Sequence, residues 1–154
     1  MRVLIYFEQN KRNKNLYEGA RVRKSLKGAC ELNKLSYTSD PKEPYEIAHF
    51  VSVKDEEVIN MALAKQIPVV VSALMCENDP DAAMLNQKGE VPTLKPKALR
   101  ILNKVTLILV PTENGRAILK HSGVETPIRV LSEGVNLSRF DKTKTIETQI
   151  FPRY

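Results

Sequence analysis

The chain predicts an α/β protein, a Rossmann-like, doubly wound, mostly parallel sheet of about five to seven strands with helices on both faces. Three observations carry this expectation. Apolar runs that read as strands alternate roughly five times with stretches of helical periodicity. The runs VLIYF, PVVVSALM and VTLILV are continuously apolar, as in strands buried on both faces. Near its end the sequence reads PIRVLSEGVN, an apolar strand followed by a polar turn whose glycine lets the chain bend sharply.

Taken in order, Val3–Phe7 is the first strand, and QNKRNKN is a turn-prone stretch in which Asn13 or Asn15 could cap the next helix. Leu16–Leu35 reads as one long helix, with Leu16, Ala20, Leu26, Ala29 and Cys30 toward the core and Arg21, Arg23, Lys24, Lys27 and Lys34 on the remaining surface. Gly19 and Gly28 each weaken it by about 1 kcal/mol against Ala, which suggests a close backbone approach to a strand or a ligand. Tyr37–Tyr45 is a loop with a short edge strand at its start. Tyr45–Val53 is a strand and Lys54–Gln66 a helix with acids in its first turn, where the helix dipole favours them. Ile67–Met75 is a strand, and the irregular composition of Cys76–Pro96 reads as a long, partly mobile loop. Lys97–Lys104 is a short basic helix and Val105–Val110 a strand; Glu113–His121 is a helix with Gly123 as its cap, and Ile128–Leu131 is the final strand.

A chain of 154 residues is most simply one domain with a core of useful size. No apolar run approaches the roughly 18 residues of a membrane span, and the early charges of MRVLIYFEQNK do not suit a signal peptide. Cys30 and Cys76 are too few for a disulfide framework or a metal cluster, which fits a reducing cytoplasm. No metal ligand set is apparent, because acids and histidines are scattered. The net charge of +6 points to an anionic partner. The basic residues are not interleaved with aromatics and there is no Trp, which ranks nucleic acid below acidic lipid.

The segments DPKEPYEIAH, VTLILVPT and PIRVLSEGVNLSRF, in this order and spacing, resemble the N-terminal domain of family 4 glycosyltransferases of the GT-B fold. The similarity is to the lipid-directed members of low-GC Gram-positive bacteria, which make glycosyl-diacylglycerols, and it runs over essentially the whole chain. It implies that residues 1–140 form the acceptor-side domain and that 141–154 (DKTKTIETQIFPRY) begin an interdomain linker, the C-terminal donor domain being absent. It also implies a retaining mechanism and a nucleotide-diphosphate sugar held by that missing domain, with no cofactor in this chain. The expected partners are an anionic membrane lipid or glycolipid acceptor and the missing domain, in cis or supplied by a catalytic partner in trans. The expected location is the cytoplasm, peripheral on the inner face of the cell membrane.

The candidate residues follow from the same resemblance, each beside a plainer reading. Gly19 and Arg21 fall where relatives carry a glycine-rich turn and a base, so backbone N–H groups and a guanidinium could meet anionic oxygens; a solvated helix face is the alternative. Relatives carry histidines at the tip of the strand that holds Ser72. Here Ser72 and Leu74 stand in those places, so no general base is expected at that tip. Glu77 and Asp79 could bind acceptor hydroxyls or simply be solvated. His49 is an acceptor-side candidate or an ordinary strand-end histidine, and His121 reads as a helix cap. Thr112, Glu133, Gly134 and Asn136 are expected at the interdomain cleft, with Thr112 also suited to N-capping and Asn136 replacing the usual acid. Arg23, Lys24, Lys27, Lys97 and Arg100 are candidate membrane-docking cations, each worth about 1 kcal/mol at an anionic surface.

The expected function is therefore acceptor binding within an enzyme that moves a sugar from a nucleotide-sugar to a membrane glycolipid or another bacterial surface glycan. This chain alone is not expected to catalyse transfer, and no catalytic residue is assigned. The alternative is a non-catalytic accessory or regulatory protein with a GT-B half-fold that pairs with a catalytic partner. A flavodoxin-like phosphate or nucleotide binder is a third reading, disfavoured by the poor glycine loop.

Overall fold

The computed structural model describes residues 1–7, 18–73, 85–86 and 93–132; at 18–21 and 85–86 it describes the backbone alone. The elements are β1 (Arg2–Tyr6), α1 (Glu18–Leu32), β2 (Ser36–Thr38), β3 (Ile47–Phe50), α2 (Glu56–Ala64), β4 (Val69–Ser72), β5 (Leu85–Asn86), β6 (Thr93–Leu94), α3 (Pro96–Leu102), β7 (Leu107–Val110), α4 (Glu113–His121) and β8 (Ile128–Val130). Six strands form one parallel sheet in the order β2-β1-β3-β4-β7-β8. The expected α/β, Rossmann-like, parallel architecture is what the chain adopts.

Register decides which side chains share a face. Ile5 pairs with His49, His49 with Val70 and Val70 with Leu107, so these four point to one side. Tyr6, Phe50, Val71, Ile108 and Ile128 form the next row and point to the other. The second side is the main core. Leu4, Phe50, Val71 and Ile108 of the sheet meet Ile59 of α2, Leu102 of α3 and Leu119 of α4 there, all fully buried. Each such side chain contributes about 1.5–3 kcal/mol by leaving water. The first side carries α1, where among the described residues Phe7 and Val51 are buried against Val22 and Leu26 in a smaller cluster.

Helix ends explain how the chain reverses so tightly. After α4, Gly123 adopts φ +88°, the Gly123 N–H donates to the Lys120 carbonyl at 3.0 Å, and the Val124 N–H reaches the Leu119 carbonyl at 3.1 Å. That pair of bonds is the Schellman closure of a helix. The same closure ends α2 around Gln66 (φ 58°) and α1 around Lys34 (φ 55°), with Ile67 N–H on the Ala62 carbonyl and Leu35 N–H on the Cys30 carbonyl.

Two expectations need correction. Gly28 marks no close approach, since nothing among the described residues lies within 4 Å of the position a Cβ would take. The stretch read as one irregular loop, Cys76–Pro96, contains paired strand: β5 and β6 are antiparallel, with Leu85 opposite Leu94 and Asn86 opposite Thr93. Leu94 supplies the reason, because its side chain is buried in the main core and its N–H is satisfied by Ser122 Oγ at 2.9 Å.

Candidate functional site at the carboxyl ends of the strands

In an open parallel sheet, ligands meet the crevice outside the carboxyl ends of the strands, where the strand order reverses. Here the reversal lies at β1 and β3, because the chain leaves β1 toward β2 on one side and β3 toward β4 on the other. The groups at these ends are Phe7, Val51, Ser52 and Asp55, and on the neighbouring strand Ser72.

His49 and Ser72 are brought together. His49 reaches past its register partner Val70 to the residue two positions further along β4, and its Nε2 lies 2.8 Å from Ser72 Oγ. Ser72 is buried and His49 half-buried. Burial disfavours the charged imidazolium and pushes the His49 pKa down from 6.5 to about 4. The ring is therefore neutral at physiological pH, one nitrogen donating and the other accepting. β4 itself carries no imidazole at Ser72, as the sequence reads. The imidazole comes from the adjacent strand.

Sequence reading missed two further polar residues at the β3 end. Ser52 is buried and its Oγ accepts from the Lys54 N–H at 3.1 Å. Asp55 is also buried and occupies the N-cap position of α2 without using its side chain as the cap. The available signal was a polar pair, Ser52 and Asp55, following an apolar strand.

The other candidates fall as follows. Gly19 and Arg21 lie within α1. Arg23 is half-buried, and its Nη1 donates to the Phe7 carbonyl at 3.3 Å, so its guanidinium is turned to the end of β1 and not outward as a docking cation. Lys27 lies over the Tyr37 ring at 5.6 Å; burial, then the Arg23 charge, lower its pKa, while Glu31 opposes them. Lys97 pairs with Glu56 at 2.7 Å, and that bond, helped by the Arg100 and Lys104 charges, holds the Glu56 carboxyl below its ordinary range. Lys24 and Arg100 are exposed. Because α1 and α3 pack on opposite faces of the sheet, the two basic clusters do not form one continuous surface.

Thr112 caps α4, its Oγ1 accepting from the Gly115 N–H at 3.1 Å, and it stands just past the end of β7. His121 is the last residue of α4 and exposed. Glu77, Asp79, Glu133, Gly134 and Asn136 lie outside the described residues. Among the described residues no three of His, Cys, Asp and Glu are grouped as a metal site requires, and no helix is long and apolar enough to cross a membrane. Comparison of the chain with protein-family models, with curated proteins and with solved structures finds no match in any of the three.

Proposed function

We propose that this chain is the acceptor-side domain of a glycosyltransferase that passes a sugar from a nucleotide-sugar to a membrane glycolipid or another bacterial surface glycan. The observation that carries the reading is the His49–Ser72 pair, a neutral hydrogen-bonding unit at the carboxyl ends of a parallel sheet. The motif run from DPKEPYEIAH to PIRVLSEGVNLSRF supports it independently. On this reading the donor sugar is held by a separate domain, and the acceptor headgroup enters beside β3 and β4. Lys24, exposed on α1 on the side of the sheet that carries His49, supplies a cationic contact to anionic lipid on the cytoplasmic face of the membrane.

The test is flotation of the chain with vesicles of anionic phospholipid, with and without glycosyl-diacylglycerol. Binding that rises when the glycolipid is included is the expected result. Equal recovery on both, or none on either, overturns the reading. Salt dependence separates the two contributions, since the contact with lipid charge weakens as ionic strength rises while the hydroxyl-directed contact does not.

A further inference from the structure

We propose that Asn114 is a modification site, an asparagine that deamidates through a cyclic imide with Gly115 and that the capped first turn of α4 holds closed to that reaction. The inference goes beyond the acceptor-domain reading and does not depend on it.

The sequence supplies the reactants. Asn114-Gly115 is the chain's single Asn-Gly dipeptide, and glycine, having no side chain, leaves its own backbone nitrogen least hindered. In the reaction a base takes the Gly115 amide proton and the nitrogen attacks Cγ of the Asn114 side chain. The bond from Cγ to the side-chain nitrogen breaks, and that nitrogen leaves as ammonia with a proton returned by the solvent. Water then opens the five-membered imide at one of its two carbonyls, leaving aspartate or isoaspartate. Water is the other reactant, and Asn114 is exposed to it.

The structure supplies the restraint. Asn114 and Gly115 occupy the second and third positions of α4, after the cap at Thr112. The imide ring is nearly planar, and closing it swings Asn114 away from the ψ of about −42° that an α-helix imposes. That swing carries the Gly115 nitrogen with it and breaks the 3.1 Å bond from its N–H to Thr112 Oγ1. It also disrupts the 3.2 Å bond from the Arg116 N–H to the Thr112 carbonyl, the first of the helix. A first-turn N–H has no partner within its own helix, so the Thr112 hydroxyl that receives it restrains the attacking nitrogen. Reaction therefore proceeds from the fraction of molecules in which this turn has opened. Its product places a carboxylate beside Glu113, just past the end of β7. Aspartate there suits the helix dipole, whereas isoaspartate lengthens the backbone by a methylene and breaks the turn.

The experiment incubates the full chain at mildly alkaline pH and follows Asn114 by peptide mapping with mass spectrometry and by enzymatic methylation of isoaspartate. The urea-unfolded chain gives the reference rate for the same dipeptide. Folded wild type is expected to react more slowly by about tenfold or more. Thr112→Ala should speed the folded-state reaction about fivefold, the change in open population expected from the loss of one cap. Thr112→Ser, which keeps a capping hydroxyl, should restore the slow rate. Leu26→Ala lowers stability by a similar amount on α1, across the sheet from α4, and should leave the rate at Asn114 unchanged. Gly115→Ala, whose Cβ would meet Thr112 Oγ1 at 3.5 Å and Val110 at 3.6 Å, both ordinary contacts, should slow the reaction even in urea. An Asn114 that stays intact in the unfolded chain overturns the site, and folded and unfolded chains reacting equally fast overturn the restraint. Thr112→Ala reacting no faster than wild type, or Leu26→Ala reacting as fast as Thr112→Ala, overturns the role of the α4 cap.

Discussion

The two faces of the sheet are built from the same strands and do different work. Toward α2, α3 and α4 the sheet offers Leu4, Phe50, Val71, Ile108 and Val110, and all are buried in one continuous apolar core. Toward α1 the buried apolar cluster is Phe7 and Val51, supported by the half-buried Val22 and Leu26. The same face carries the His49–Ser72 pair. Among the described residues, the first of these sides holds the larger apolar cluster. The other carries polar groups at its carboxyl end, where His49 and Ser72 meet without interrupting that core.

The comparison can be broken most directly by cutting into each face. Leu102→Ala on the core side is expected to cost about 2–5 kcal/mol, because Leu102 is fully buried and a cavity remains. Leu26→Ala on the α1 side should cost only about 1 kcal/mol, since Leu26 is half-buried before the change. Urea denaturation measures both, and equal losses would erase the distinction between the faces.

The second test uses acid. The folded His49 takes its proton near pH 4 and the unfolded one near 6.5, so between those values the unfolded chain binds more protons. Stability should therefore fall as pH drops from 6.5 toward 4, by about 3 kcal/mol in all for this group, and then level off. His49→Gln removes this component of the pH dependence whatever it does to stability at neutral pH. Denaturation midpoints collected over that range show whether the slope is lost; an unchanged slope would mean the ring is not desolvated.

Two smaller effects sharpen the picture helix by helix. Thr112→Ala removes the cap of α4 and should cost about 1 kcal/mol in thermal or chemical unfolding. Gly28→Ala on α1 should stabilise by roughly 0.5–1 kcal/mol, because the position is helical and open. A loss at Gly28 would reveal a contact on that face.

The local parts of this architecture are readable from sequence because short-range patterns encode them. VTLILV followed by Pro111 and Thr112 places β7 and the start of α4 correctly, and Gly123 marks where α4 stops. The equivalent stops after α1 and α2 were not signalled, since Lys34 and Gln66 take the left-handed conformation that glycine would have announced. β5 and β6 escaped notice because two-residue strands have no period to detect. The site shows the same limit. His49 and Ser72 were each visible as polar interruptions of apolar strands, but their meeting depends on the register of β3 against β4. Arg23 looked like one more surface cation until the end of β1 was placed beside it.

The strand order has a consequence for how the chain is made. Reading from the first residue, β2 joins the outer edge of β1, and β3 joins its other edge. From there β4, β7 and β8 are each added to the strand that then forms the border, and none has to be inserted between two strands already paired. A ribosome releasing the chain from its N-terminus therefore supplies each strand after the partner it needs. Parallel pairing is slow because each contact closes a long loop, and this sequential growth keeps the number of edges awaiting a partner small throughout synthesis.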